Sequence, residues 1–236
     1  LHYVPIQFYV PSYSFTRNKR NEIRYNIMDQ IKPIFIEKFL PDSLITVVNQ
    51  YAITKTLCRD TYFDNTVNAM AYSYGDPLME TILDLSTSVV EKHVGKSLWP
   101  TFSFMRVYDK GSDLEIHTDR PSCEYTVALA LGEFPVNKPY PLYIGELDPT
   151  SEYKYFNIDK KLEPVKINYK YDMIRNNAVL FQGQTDQTVH WREFCTHDHF
   201  ITCFFHYVNK EGPHAQEKWD KRSMLGMPSV KDDQGK

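Results

Sequence analysis

Apolar and polar positions change period part-way along the chain. From Trp99 onward the apolar residues alternate in short runs separated by Pro, Gly and Asn. The runs are Phe102-Ser-Phe-Met-Arg-Val-Tyr-Asp-Lys-Gly111, Tyr125-Thr-Val-Ala-Leu-Ala-Leu131, Asn177-Ala-Val-Leu-Phe181 and Phe200-Ile-Thr-Cys-Phe-Phe-His-Tyr-Val208. Such runs predict strands. Before Trp99 the spacing is mostly helical. Ile23, Ile27 and Ile31 recur at i+4 through Asn21–Gln30, and Pro33 ends that helix. Pro41-Asp-Ser-Leu44 starts a second helix with Leu44, Val48 and Tyr51 on one face. The longest helix is predicted over Pro77–Leu98, with Leu78, Ile82, Leu85, Val89 and His93 along its apolar stripe. His93 reads as a helix-end residue beside the negative end of the macrodipole.

The remaining segments are less regular. Tyr3–Val10 alternates as a strand that Pro11 ends, and residues 54–76 read as a long ordered loop. Between Gly132 and Arg175 the chain makes a long excursion. Val136–Pro141 is a turn-rich connection, whereas Lys154–Ile158 and Val165–Tyr169 alternate, so the excursion is expected to carry its own hairpin. It either walls a substrate site or decorates the fold. From Lys210 the chain is charged and reads as a disordered or loosely strapped tail. The pattern predicts an α+β protein forming a single domain over residues 1–236. A strand and helical layer (1–98) packs on one sheet of a barrel or double sheet (99–209), and the tail (210–236) follows.

One constellation inside the β region carries chemistry. His117-Thr-Asp119 is followed far downstream by His190, within Thr188-Val-His-Trp-Arg-Glu193. On a strand, residues i and i+2 share a face, so His117 and Asp119 can reach one metal ion. Two imidazoles and one carboxylate form the facial triad that holds Fe(II) and leaves positions open for O2 and a co-substrate. An H-x-D triplet alone is weak evidence, because most histidines are satisfied core or surface residues. Here each candidate ligand lies at or beside a strand end, where a β-barrel places functional groups.

Tyr108, Gly111, His117 and Asp119 match a Tyr-x-x-Gly…His-x-Asp pattern. The segment Met105–Asp119 thereby resembles the 2-oxoglutarate/Fe(II)-dependent oxygenases of the prolyl hydroxylase branch. His117–Glu124, Gln182-Gly-Gln184, His190–Glu193 and Phe204–Tyr207 resemble bacterial and phage-type members of the same superfamily. The likeness covers roughly residues 100–208. It implies a double-stranded β-helix of the jelly-roll or cupin type, with Fe(II), 2-oxoglutarate and O2 as cofactor and co-substrates. It also implies hydroxylation of an unactivated C–H bond in an amino acid, a peptide side chain or a small metabolite. Tyr108 is then expected to face the co-substrate. One departure stands out. The branch places an Arg or Lys about nine to ten residues after the second histidine, to pair with the distal carboxylate of 2-oxoglutarate. Here that place is His199-Phe200. Either His199 serves as an imidazolium, or Arg106, Arg120 or Arg192 supplies the cation, or the protein is a metal-binding barrel or iron oxygenase that does not use 2-oxoglutarate.

Other residues have plainer readings. His197 is expected in a surface turn, and His206 as a packed histidine of the sheet. Arg120 and Glu124 either orient substrate or form an ion pair that positions the triad loop. Trp191 is expected to pack beside the metal ligand. A net charge of −3 argues against a general affinity for nucleic acid or anionic membranes. No apolar run approaches the ~20 residues of a membrane span, and the first residues carry no basic-then-apolar leader pattern. Cys58, Cys123, Cys195 and Cys203 are scattered without a C-x-x-C, which fits reduced thiols in the cytoplasm and not a zinc site. A small-molecule or peptide substrate is the expected partner. The sequence sets no oligomeric state.

Overall fold

The computed structural model of the chain describes residues 31–58, 61–64, 69–146, 166–185 and 188–227. They belong to one compact unit, Ile31–Lys236. The strand expected at Tyr3–Val10, the helix expected at Asn21–Gln30 and the segment Lys154–Ile158 lie outside the described residues. In chain order the elements are β1 (Ile34–Ile36), α1 (Asp42–Leu57), β2 (Tyr62–Asp64), β3 (Ala69–Tyr74), α2 (Pro77–Val94), β4 (Leu98–Asp109), β5 (Leu114–His117), β6 (Tyr125–Phe134), β7 (Tyr140–Glu146), β8 (Lys166–Met173), β9 (Ala178–Phe181), β10 (Val189–Arg192) and β11 (His199–Asn209). A seven-stranded sheet runs β1-β9-β6-β11-β4-β3-β2, and a four-stranded sheet runs β5-β10-β7-β8. Every strand pair is antiparallel. This α+β architecture is the expected double-stranded β-helix with helices on one sheet.

The period of two sorts the side chains into two layers. On β11, Ile201, Cys203, Phe205 and Tyr207 join Val48 of α1 and Leu83 and Val90 of α2 in an outer core. Phe200 and Phe204 face the other way, into an inner core with Tyr108, Ala128, Leu142 and Phe181. The helices are tied to the large sheet by polar bonds as well. Asn49 donates to the Leu131 carbonyl at 3.0 Å, and the Tyr207 hydroxyl donates to the Leu83 carbonyl at 2.9 Å.

Helix α2 starts where the sequence places it. Asp76 accepts the Leu78 and Met79 amides at 3.0 and 3.1 Å, and Pro77 occupies the first turn. It ends four residues before Leu98, because Gly95 adopts φ 71° and breaks the helix. Its buried stripe is Met79, Ile82, Leu83, Ser86, Val90 and Val94, whereas Leu85 and Val89 are exposed. The expected stripe was therefore rotated. Apolar residues occupy two adjoining faces, and the one turned inward is the one beside Glu80, which is buried against Arg222. Helix α1 shows a smaller offset, with Ile45, Val48 and Ala52 innermost.

Three expected irregular segments are ordered elements. Residues 54–76 contain the end of α1 and the strands β2 and β3, and β3 pairs with β4. The excursion does carry a hairpin: the expected turn holds over 136–139, and the first strand, β7, begins at Tyr140 in the last two residues of that connection and pairs with β8. The tail is docked as far as Met227. Arg222 and Glu80 are both buried, with Arg222 Nη2 2.6 Å from Glu80 Oε1 and 2.9 Å from the Thr101 carbonyl. Among the described residues, no helix is long and apolar enough to cross a membrane.

Candidate metal centre

His117 ends β5, and its register partner across the antiparallel pair is His190 of β10. The two rings lie 4.2 Å apart by centroid. Asp119 follows two residues later. Its Oδ1 is 3.7 Å from His117 Nε2 and 3.6 Å from His190 Nε2. One potential ligand atom from each of the three side chains lies within 4.8 Å of the others.

The polarity of the donors fits a cation. His117 Nδ1 is 2.7 Å from the Glu115 carbonyl and His190 Nδ1 is 3.2 Å from the Thr188 carbonyl. A carbonyl only accepts, so each Nδ1 carries the proton and each Nε2 presents a lone pair. Burial, then His190 and finally Arg106 push the His117 pKa down to about 3, despite Asp119 beside it. The Asp119 carboxyl lies well below the usual carboxylate range: burial opposes its charge, but His190 and His117 overcome that. Two lone pairs and a carboxylate oxygen thus converge, an arrangement that a divalent metal satisfies.

Asp119 is held from behind. Its amide donates to the Gly183 carbonyl at 2.7 Å, and Thr126 Oγ1 donates to Oδ2 at 3.1 Å. Thr126 in turn contacts His206 Nδ1 at 3.0 Å. Oδ2 is thereby committed to Thr126, and Oδ1 faces the histidines. His206 is a packed sheet histidine, as expected, although it also lies close to Asp119 and Cys123. A Cβ on Gly183 would lie 2.1 Å from Asp119 Oδ2 and 2.8 Å from its Cγ. Gly183→Ala should therefore displace the carboxylate and weaken binding of Mn(II), a redox-stable probe, by at least ~10-fold. Calorimetric titration reads this directly, and wild-type affinity would contradict the assigned packing.

The pH dependence of the metal-free protein has a definite sign. Burial pushes the His206 pKa down to about 4 and that of His117 to about 3, against 6.5 for an ordinary histidine. Their contribution to stability is complete above about pH 6.5. It falls as pH drops, because the unfolded chain then takes up protons that the folded chain refuses. Where both groups differ the slope reaches ~2.7 kcal/mol per pH unit. The unfolding temperature should drop steadily from about pH 6.5 to about pH 5, and a flat profile would mean these imidazoles are not buried neutral.

The co-substrate candidates separate clearly. Tyr108 and Arg192 are fully buried in the inner core, with Arg192 only 1% exposed. Arg192 lies two residues beyond His190 on the same strand and shares its face. Its guanidinium stands 4.9 Å from the Tyr140 ring, 5.0 Å from Phe200 and 5.8 Å from Tyr108. Nη1 donates to the Tyr140 and Pro141 carbonyls at 2.7 and 3.1 Å, whereas Nε and Nη2 have no hydrogen-bond partner among the described residues. Burial lowers its pKa from the ordinary arginine value. Arg106 Nη1 reaches the Tyr108 hydroxyl at 3.3 Å, from a half-buried position on β4. His199 does not fold back into the barrel. It is exposed at the start of β11, and Phe200 is the residue that points inward.

Other expectations need correction. His197 is 1% exposed, not on a surface turn, and its Nε2 donates to the Lys138 carbonyl at 2.7 Å. Arg120 makes a two-pronged ion pair with Asp220, at 2.6 and 2.7 Å, not with Glu124. Glu124 instead accepts the Asn209 amide at 2.9 Å. Trp191 stacks on Tyr143 on the opposite face of β10 from His190, as the period of two demands. Thr126, Gly183 and Asp220 are site residues that sequence reading missed. The Gln182-Gly-Gln184 motif was the available sign, since Gln184 also donates to the Arg120 carbonyl at 3.0 Å.

Compared by sequence, the chain matches no protein-family profile and no curated protein. Its structure resembles that of the non-haem, α-ketoglutarate-dependent carbocyclase SnoK from nogalamycin biosynthesis, with TM-score 0.58 and 15% identity over 86% of this chain and 90% of that one. A prolyl hydroxylase from Trichoplax adhaerens, solved with a hypoxia inducible factor peptide, gives TM-score 0.55 and 14% identity over 76% and 84%. HygX from Streptomyces hygroscopicus, solved with nickel and 2-oxoglutarate, gives 0.52 and 13% over 78% and 85%. The chain therefore has the fold of the 2-oxoglutarate/Fe(II) oxygenases.

Proposed function

We propose that the protein is an Fe(II)- and 2-oxoglutarate-dependent oxygenase that hydroxylates an unactivated C–H bond of an amino acid, a peptide side chain or a small metabolite. One observation carries this reading. Three groups able to ligate a metal converge on the same inner face as a buried guanidinium with two N–H groups unsatisfied among the described residues. A buried, unsatisfied charge is costly, so its retention implies a ligand that completes it. An anionic co-substrate chelated at the metal meets that need.

His117, Asp119 and His190 would hold the iron, each fixed by the hydrogen bonds described above. With O2 and 2-oxoglutarate, bound iron supplies the oxidising chemistry that yields succinate, CO2 and a hydroxylated product. Arg192 would bind the distal carboxylate through Nε and Nη2, and Tyr108 would donate its hydroxyl beside it. Arg192 thus takes the role first considered for His199, on β10 instead of β11. Tyr140, Phe200 and Phe181 exclude water from this end of the barrel, which strengthens the charge pairing. SnoK and the prolyl hydroxylase differ in the substrates their names imply, so the fold does not choose between small molecule and peptide. The cysteines Cys58, Cys123, Cys195 and Cys203 are all unbridged, in keeping with a cytoplasmic location.

The test is uncoupled turnover. Purified protein with Fe(II), O2 and 2-oxoglutarate, but no added substrate, should release succinate slowly, as followed by NMR. Absence of succinate above an iron-only control would count against the assignment.

A further inference from the structure

A second group of metal-binding side chains lies behind the triad. Asp119, Cys123 and His206 each bring one potential ligand atom within 4.8 Å of the others. Cys123 and His206 are only 3% and 5% exposed. Local structure fixes both. Pro121 opens a short 3-10 turn, Pro121–Cys123, in which the Cys123 amide donates to the Arg120 carbonyl at 2.9 Å. Thr101 Oγ1 holds the turn by donating to the Ser122 carbonyl at 2.7 Å. His206 stands on β11 directly opposite Thr126 of β6, and its ring packs 4.4 Å from that of Phe102.

The two oxygens of Asp119 face different neighbours. Oδ1 faces His117 and His190, whereas Oδ2 accepts from Thr126 Oγ1, which lies 3.0 Å from His206 Nδ1. A carboxylate has about four lone-pair sites on its two oxygens, enough to ligate two ions and accept from Thr126 as well. The donor sets differ in softness. Two imidazoles and a carboxylate suit Fe(II), whereas a thiolate, an imidazole and a carboxylate suit Zn(II) and related ions that favour sulfur. The ligand atoms of a tetrahedral ion with bonds of about 2.0–2.3 Å stand about 3.3–3.8 Å apart, so small side-chain shifts close the set. In the metal-free chain, burial and then Asp119 push the Cys123 thiol well above its ordinary range. It is protonated there, and a coordinated ion takes the place of that proton.

We propose that Asp119, Cys123 and His206 bind a second, thiophilic divalent ion of the Zn(II) class, with Asp119 bridging it to the metal at the triad. This site stands apart from the oxygenase reaction and does not require 2-oxoglutarate. An ion there shares its carboxylate with the triad, so soft metals would act on the iron site through Asp119.

The experiment is anaerobic titration of the metal-free, full-length protein with Co(II), which reports a thiolate ligand by an intense near-ultraviolet charge-transfer band. Two cobalt ions should bind per chain, and the band should accompany one of them. Cys123→Ala and Cys123→Ser should each bind one cobalt and lose the band, with circular dichroism confirming the fold. His117→Ala should keep the band. Cys195→Ala should also keep it, although Cys195 Sγ lies 3.9 Å from His197 Nδ1. X-ray absorption of the wild-type protein needs no variant and should find one sulfur for every two cobalt ions. One cobalt without the band would overturn the proposal and leave the triad standing. One cobalt with the band would mean that the two sets compete for Asp119, which contradicts the bridge. A band that survives Cys123→Ala would place the ion at another cysteine and reject the site.

Discussion

Arg192→Met is expected to weaken 2-oxoglutarate binding to the Mn(II)-loaded protein by at least ~100-fold, while leaving the unfolding temperature unchanged or raising it. The two effects have opposite signs for one reason. In the free protein Arg192 is a buried charge with Nε and Nη2 unsatisfied among the described residues, and an apolar side chain of similar length relieves that cost. In the proposed complex the same N–H groups would meet a carboxylate, where each charge-assisted bond contributes about 1.5–3 kcal/mol. A packing residue would behave differently, losing stability without a selective loss of co-substrate affinity. Calorimetric titration together with thermal unfolding separates the two cases. Unaltered 2-oxoglutarate affinity in this variant would remove Arg192 from the site. His199→Ala should be silent in the same titration, since His199 is exposed at the start of β11.

Arg222→Leu is expected to cost about 3–5 kcal/mol of stability. The substitution strands Glu80, only 1% exposed, without its counter-charge. It also removes the bonds from Arg222 to the carbonyls of Thr101, Trp219 and Met227, at 2.9 Å each. Part of the effect should reach the candidate metal centre, because the segment that Arg222 anchors also carries Asp220, the partner of Arg120 beside Asp119. The unfolding temperature should fall by roughly 6–20 °C for a chain of this size. Combining it with Glu80→Leu should recover much of the loss, since removing both partners leaves no buried charge. A shift below about 2 °C in the single variant would show that the pair is not buried in solution.

The parts of this structure that were legible in the sequence are those governed by the two-residue period. The runs that became β4, β6, β9 and β11 were read within a few residues of their ends for that reason, whereas β5 and β10, which carry the two histidines, were not picked out as runs, and Asp119 lies two residues past the end of β5. The same rule places Arg192 on the face of His190 and Trp191 on the other. Spacing from a family pattern instead drew attention to His199, one residue out of phase with the inward-facing Phe200. Helix α2 resisted because Leu78, Met79, Ile82, Leu83, Leu85, Val89 and Val90 spread over nearly half of its circumference, wider than one buried stripe. The inward stripe lies beside Glu80, whose partner Arg222 is 142 residues away, so no local pattern marks it. Strand β7 was hidden by Pro141, which suggested a turn, yet the residue sits near the start of the strand, where a proline can be accommodated.

Anaerobic titration of the protein with Fe(II), with and without 2-oxoglutarate, decides whether the triad is an iron site that takes this co-substrate. One iron should bind per chain, and a visible charge-transfer band should appear only when 2-oxoglutarate is also present. Iron binding without that band, or the absence of iron binding, would contradict the proposed function.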